Sequence, residues 1–123
     1  MKALQYFLAR LKWRIIWSVA GLSDCWATQH SFRSWVWANL ISALLAFVLP
    51  IGGAERALIL ALGLLVLAAE AMNTAIEYTV DYISTKRHPL AARAKDAGSA
   101  AVFLTSLGAG VAWLVALWGL WVA

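Results

Sequence analysis

From Ala97 to Ala123 the chain reads AGSAAVFLTSLGAGVAWLVALWGLWVA, 27 residues without one charge. A membrane-crossing helix needs about 20 predominantly apolar residues, so this stretch decides the class of the fold. A polar connector, Ser84-Thr85-Lys86-Arg87-His88-Pro89 and onward to Lys95, precedes it. Before the connector, an apolar run opens at Ala57 and continues to about Tyr78, interrupted only by Glu70, Asn73 and Glu77. A third uncharged run, Trp35 to Leu49, ends at the breaker Pro50-Ile51-Gly52-Gly53. These runs predict membrane helices at about 32–49, 56–83 and 95–122, the first so short that it borrows Phe32 to Ser34.

The whole composition agrees. The 123 residues are 63% hydrophobic and 13% charged, against roughly 45–50% and about 25% in soluble domains. So small a water-soluble chain has too little interior for that much apolar surface. The expected class is an all-α membrane protein forming a single domain over 1–123. Three short helices enclose little interior, so an oligomer is expected. The +4 net charge, set in an apolar chain, points to lipid headgroups or phosphates and away from nucleic acid. Cys25, alone with His30 and His88, cannot make a zinc cluster and reads as a small buried hydrophobe.

The segment 1–31 carries Lys2, Arg10, Lys12 and Arg14 among Leu4, Phe7, Leu8, Leu11, Ile15 and Val19 at helical spacing. That pattern predicts an amphipathic helix in the membrane interface, with an ordinary packed helix as the alternative. Gly21 offers a turn into a second short segment, Leu22 to Trp26. Five Lys and Arg lie in the segment up to Arg33, four in the second connector (Lys86, Arg87, Arg93, Lys95), and Arg56 alone between the first two membrane helices. The excess of positive charge puts the amino terminus and the second connector in the cytoplasm. No GxxxxGK[ST] or GxGxxG loop is present. Gly98, Gly108 and Gly110 read as points of close helix packing.

Chemistry concentrates in one place. Glu70, Asn73, Glu77 and Asp81 are spaced by three, four and four, which predicts one polar stripe along a helix. At about 1.5 Å per residue, Glu70 lies about 10 Å deeper than Glu77. An acid at that depth costs about 2.5–3.5 kcal/mol on insertion scales, so it marks function or an ion pair, here with Arg33 or Arg93. Across the second connector stand Arg93, Lys95 and Asp96, expected at a helix amino terminus where free N–H groups favour anions. Carboxylates for Mg²⁺, cations for phosphates and a desolvated acid able to act as base together suit phosphoryl transfer to a lipid hydroxyl. A proton-coupled transporter would also use membrane carboxylates, but three helices lack its second half.

The run Glu70-Ala-Met-Asn73-Thr-Ala-Ile-Glu77-Tyr-Thr-Val-Asp81, followed by Ala92-Arg-Ala-Lys95-Asp96-Ala-Gly98-Ser99-Ala-Ala101-Val, resembles the prokaryotic diacylglycerol kinase family. The likeness extends from Arg10 through Ser18, Gly21-Leu22, Trp26 and Phe32-Arg33 to Trp113. It implies a homotrimer with an amino-terminal surface helix and active sites shared between subunits. It further implies transfer of the ATP γ-phosphate to diacylglycerol at the cytoplasmic face of a bacterial inner membrane, with Mg²⁺ as cofactor; a related branch phosphorylates undecaprenol. Carried over by position, Glu70 is the catalytic base and Glu77 a metal ligand. Arg10, Trp17, Gln29, Glu77, Lys86, His88, Lys95 and Asp96 contact ATP; Arg10, Glu70, Ser99 and Trp113 contact lipid; Asn73 and Asp81 support the site. Gln29 stands where the family has its second metal-binding glutamate. Lys86 replaces an acid common near the ribose, Trp17 a frequent tyrosine, and Trp35 an acid after Phe-Arg. Two other readings follow from the sequence: a catalytically impaired member that binds lipid or a partner, for which Gln29 speaks, and a small ion-conducting oligomer.

Overall fold

The computed structural model describes residues 2–122, and every element among them is a helix. In chain order they are α1 (Lys2–Thr28), α2 (His30–Val48), α3 (Gly53–Ile83) and α4 (Pro89–Val122). The last three, with 19, 31 and 34 residues, are long and apolar enough to cross a membrane. Away from their ends, helices satisfy their backbone groups within the segment, as a hydrocarbon solvent demands.

α3 is the central helix. It packs most extensively on α4 and, on its other side, on α2, while α1 touches α2 and α3 but not α4. Apolar burial gains little when the solvent is itself apolar, so small residues that allow close backbone approach carry the packing. Ala46, Ala112 and Ala116 form the buried cluster with Ile51 and Ile59. A methyl group added at Gly63 would collide with the Asn39 amide, and one at Gly98 with the Asn73 amide oxygen. The pair expected to pack closely, Gly108 and Gly110, does less: Gly110 meets nothing, and Gly108 only ordinary contact with Leu62 at 3.9 Å.

Both ends of α2 are stapled by arginine. At its start, the one-residue break at extended Gln29 leaves α1 with unpaired carbonyls; Arg33 donates to those of Trp26 (2.7 Å) and Ala27 (3.2 Å). Arg33 is therefore a helix C-cap and no partner of the α3 acids. At its end, Arg56 donates to the carbonyls of Ala46 (2.7 Å) and Ile51 (3.2 Å) and stacks on Phe47.

Two boundaries differ from the sequence reading. α1 runs unbroken through Gly21, which has no positive φ and nothing packed against it; glycine permits a turn without requiring one. α4 starts at Pro89, not near residue 95. His88 explains this: its Nδ1 accepts the Leu90 N–H at 3.1 Å and its carbonyl the Ala92 N–H at 3.1 Å. A side-chain acceptor at the N-cap followed by proline is a helix start in its own right. Lys95 and Asp96 consequently lie inside α4, their amides committed to the helix, and offer side chains rather than a helix terminus to an anion.

Candidate active site

The polar residues of α3 divide into two seams. Glu70, Thr74 and Tyr78, spaced i, i+4, i+8, face α1 and α2; Asn73 and Asp81 face α4, with Glu77 between them. The single stripe expected from spacing is split because α3 is gripped from both sides.

On the first seam Glu70 is the one buried acid among the described residues, 5% exposed. Ser31, in the first turn of α2, donates its hydroxyl to Glu70 Oε2 at 3.1 Å. One turn on, Thr74 is buried beside Cys25. Burial pushes the Cys25 thiol above its ordinary range, partly opposed by the neighbouring Thr74 side chain. Another turn on, the Tyr78 hydroxyl donates to Asp24 Oδ2 at 2.9 Å and lies 2.8 Å from Thr28 Oγ1. Gln29 Nε2 reaches Thr28 Oγ1 (3.2 Å) and Tyr78 Oη (3.4 Å). A ring of side chains thus fastens the end of α1 and the Gln29 break to α3.

On the second seam Asn73 Nδ2 donates to Glu77 Oε1 at 3.1 Å, and Asn73 Oδ1 is buried without a partner against Gly98. Lys95 Nζ meets Asp81 Oδ1 at 2.7 Å. Beyond this ion pair the turn between α3 and α4 forms an open cleft of about 490 Å³, lined among others by Asp81, Lys86, Arg87, His88 and Lys95. One acid among four basic or imidazole side chains suits a polyphosphate. Among the described residues no three His, Cys, Asp or Glu side chains converge to hold a metal ion.

Within one chain, then, Gln29 and Glu70 join the first seam, Asn73, Glu77, Asp81 and Lys95 the second, and Lys86 and His88 the cleft at the turn beyond it. Arg10 and Trp17 do not: Arg10 bonds and stacks on Tyr6, and Trp17 stacks on Trp13, on a helix that makes no contact with α4. Asp96 and Ser99 are exposed on α4. Trp113 donates to Ser42 at 2.8 Å, tying α4 to α2 at the level of the membrane helices. Sequence reasoning missed Ser31, Asp24, Thr28 and Tyr78, whose partners lie far away along the chain.

The prokaryotic diacylglycerol kinase profile matches residues 16–117. The chain belongs to that family. A diacylglycerol kinase of Pseudomonas aeruginosa is 42% identical over 103 residues, covering 84% of each chain. That of Escherichia coli K12 is 36% identical over 102 residues, 83% of this chain and 84% of the relative; that of Helicobacter pylori is 33% identical over 110 residues, 89% and 82%. The match to the diacylglycerol kinase family spans both seams of α3 and the α3–α4 turn. Of the residues singled out for chemistry, Arg10 alone precedes it. Family membership makes the protein a membrane-helical lipid kinase relative and leaves the ion-conductor reading without support.

Proposed function

We propose that the protein transfers the γ-phosphate of ATP to the hydroxyl of diacylglycerol, yielding phosphatidic acid and ADP. The observation that carries this reading is Glu70: a buried carboxylate, held by Ser31, where the polar seam of α3 meets the apolar part of the helix. A lipid alcohol arriving sideways from the membrane reaches such a group without passing through water. Glu70 accepts the hydroxyl proton as the hydroxyl oxygen bonds to the γ-phosphorus and the bond to the ADP oxygen breaks. Lys95, Lys86 and His88 hold the polyphosphate and nucleotide in the α3–α4 cleft, and Asp81 orients Lys95. Asn73 holds one oxygen of Glu77, leaving the other for coordination.

The donors present fit Mg²⁺ carried in on nucleotide phosphates rather than a resident ion. Glu77 and the neutral oxygen of Gln29 are hard ligands, and Mg²⁺ takes one or two carboxylates plus phosphates and water. When bound, the ion neutralises charge on the phosphate oxygens. Arg10, Trp17, Asp96, Ser99 and Trp113 enter this scheme from the neighbouring copies of a homotrimer, which also covers the apolar residues exposed on α2 and α4. The concentration of Lys and Arg at the α1 end and the α3–α4 turn supports a cytoplasmic active site on a bacterial inner membrane.

The test is ATP consumption by purified protein in detergent with diacylglycerol, undecaprenol or no lipid. Turnover that requires diacylglycerol supports the reading. Turnover with undecaprenol alone moves it to another lipid alcohol, and none with either lipid overturns it.

A further inference from the structure

The ring around Tyr78 is short of protons, and that shortage favours one orientation of the Gln29 amide. The Tyr78 hydroxyl proton goes to Asp24 Oδ2 (2.9 Å), and the single Thr28 hydroxyl proton is shared between the Asp24 carbonyl (2.8 Å) and Tyr78 Oη (2.8 Å). Both hydroxyl oxygens are then left as acceptors. Gln29 Nε2, at 3.2 and 3.4 Å from them, has two protons and supplies both. With its nitrogen on the two hydroxyls, the amide leaves its oxygen without a hydrogen bond to the described residues.

We propose that Asp24, acting through Tyr78, is a positioning residue that turns the Gln29 carbonyl oxygen outward as a ligand for the divalent cation of the nucleotide. The inference rests on the reading of Gln29 and Glu77 as ligands of that cation. It also accounts for glutamine at position 29. A carboxylate there would have only the Thr28 proton to accept, in competition with the Asp24 carbonyl and beside the carboxylate of Asp24, whereas an amide donates to both hydroxyl oxygens. Asp24 and Gln29 form a matched pair, and changing one alters what the other needs.

The experiment is a Mn²⁺ titration, followed by electron paramagnetic resonance, of the purified full-length protein with a non-hydrolysable ATP analogue. It compares the parent with Gln29→Ala, Asp24→Asn, Tyr78→Phe, Gln29→Glu and the double variant Asp24→Asn/Gln29→Glu. Gln29→Ala weakens Mn²⁺ binding if Gln29 is a ligand. Asp24→Asn and Tyr78→Phe each weaken it about three- to tenfold, the scale of one lost hydrogen bond. In the Gln29→Glu background the sign reverses. Asp24→Asn then strengthens binding, because the introduced amide donates to the Tyr78 oxygen and frees the Tyr78 proton for the introduced carboxylate. Equal effects of Asp24→Asn in both backgrounds, or none in either, with Gln29→Ala still weakening binding, overturn the positioning role alone. Binding unchanged by Gln29→Ala overturns the ligand reading and this inference with it.

Discussion

Ser31 Oγ donates to Glu70 Oε2 across 3.1 Å, so the first turn of α2 holds the one buried acid of α3 among the described residues. Hydrogen bonds to charged groups contribute about 1.5–3 kcal/mol, and Ser31 itself is exposed, which places this one at the low end. Ser31→Ala is expected to lower kcat about tenfold while leaving KM for the nucleotide unchanged, and Ser31→Thr to restore most of it. Steady-state kinetics with nucleotide and lipid varied in turn check this. A rise in the nucleotide KM would show instead that Ser31 shapes the wrong part of the site.

Gly98 and Gly110 make opposite predictions. A methyl at Gly98 meets the Asn73 amide and the Ile76 side chain, at 3.3 Å from the latter, while one at Gly110 meets nothing. Gly98→Ala is expected to destabilise the α3–α4 packing by about 1–3 kcal/mol, the scale of overpacking. Gly110→Ala is expected to be neutral or mildly stabilising, since alanine favours the helix. Thermal unfolding in detergent compares the two.

The Lys95–Asp81 pair is partly solvated, its side chains 37% and 51% exposed. Such pairs contribute about 0.2–1 kcal/mol to stability. Asp81→Asn and Lys95→Met are therefore expected to leave unfolding almost unchanged. Lys95→Met is expected to weaken nucleotide binding at least tenfold, and Asp81→Asn by less, because the lysine survives without its guide. Titration with a fluorescent ATP analogue measures both.

The legible part of this molecule was what hydropathy and local spacing encode. Three long apolar runs mark the membrane helices, and Glu70, Asn73, Glu77 and Asp81 mark the polar part of α3. Helix starts were harder: the charges of Arg93, Lys95 and Asp96 read as connector, yet a His88 cap with Pro89 behind it starts α4 six residues earlier than expected. Spacing carries no information about neighbours, and α3 is gripped from two sides, so its one expected stripe is two seams. The pairings Ser31–Glu70 and Asp24–Tyr78 join residues 39 and 54 apart, and no local pattern announces them. Arg10 and Trp17, joined to the site only by resemblance, remain apart from it within one chain.

Cys25 makes a prediction about access. Its thiol is 5% exposed, and desolvation holds its pKa above the ordinary thiol range, so little thiolate forms at pH 8. The thiolate is the reactive species. Iodoacetamide is expected to leave Cys25 unmodified in the folded protein and to label it fully after denaturation in dodecyl sulfate. Mass spectrometry reads the difference, and rapid labelling of the folded protein would mean that the end of α1 does not stay on α3.

The central claim is that Glu70 takes the proton from a lipid hydroxyl during phosphoryl transfer. Glu70→Gln keeps the size of the side chain and an oxygen for the Ser31 hydroxyl, and loses the base. The direct measurement is formation of radiolabelled phosphatidic acid from γ-labelled ATP and diacylglycerol by the parent and by Glu70→Gln. The account predicts label transfer by the parent, a fall of about 10²–10⁴-fold in the variant, and an unchanged affinity for nucleotide. Undiminished transfer by Glu70→Gln would contradict it.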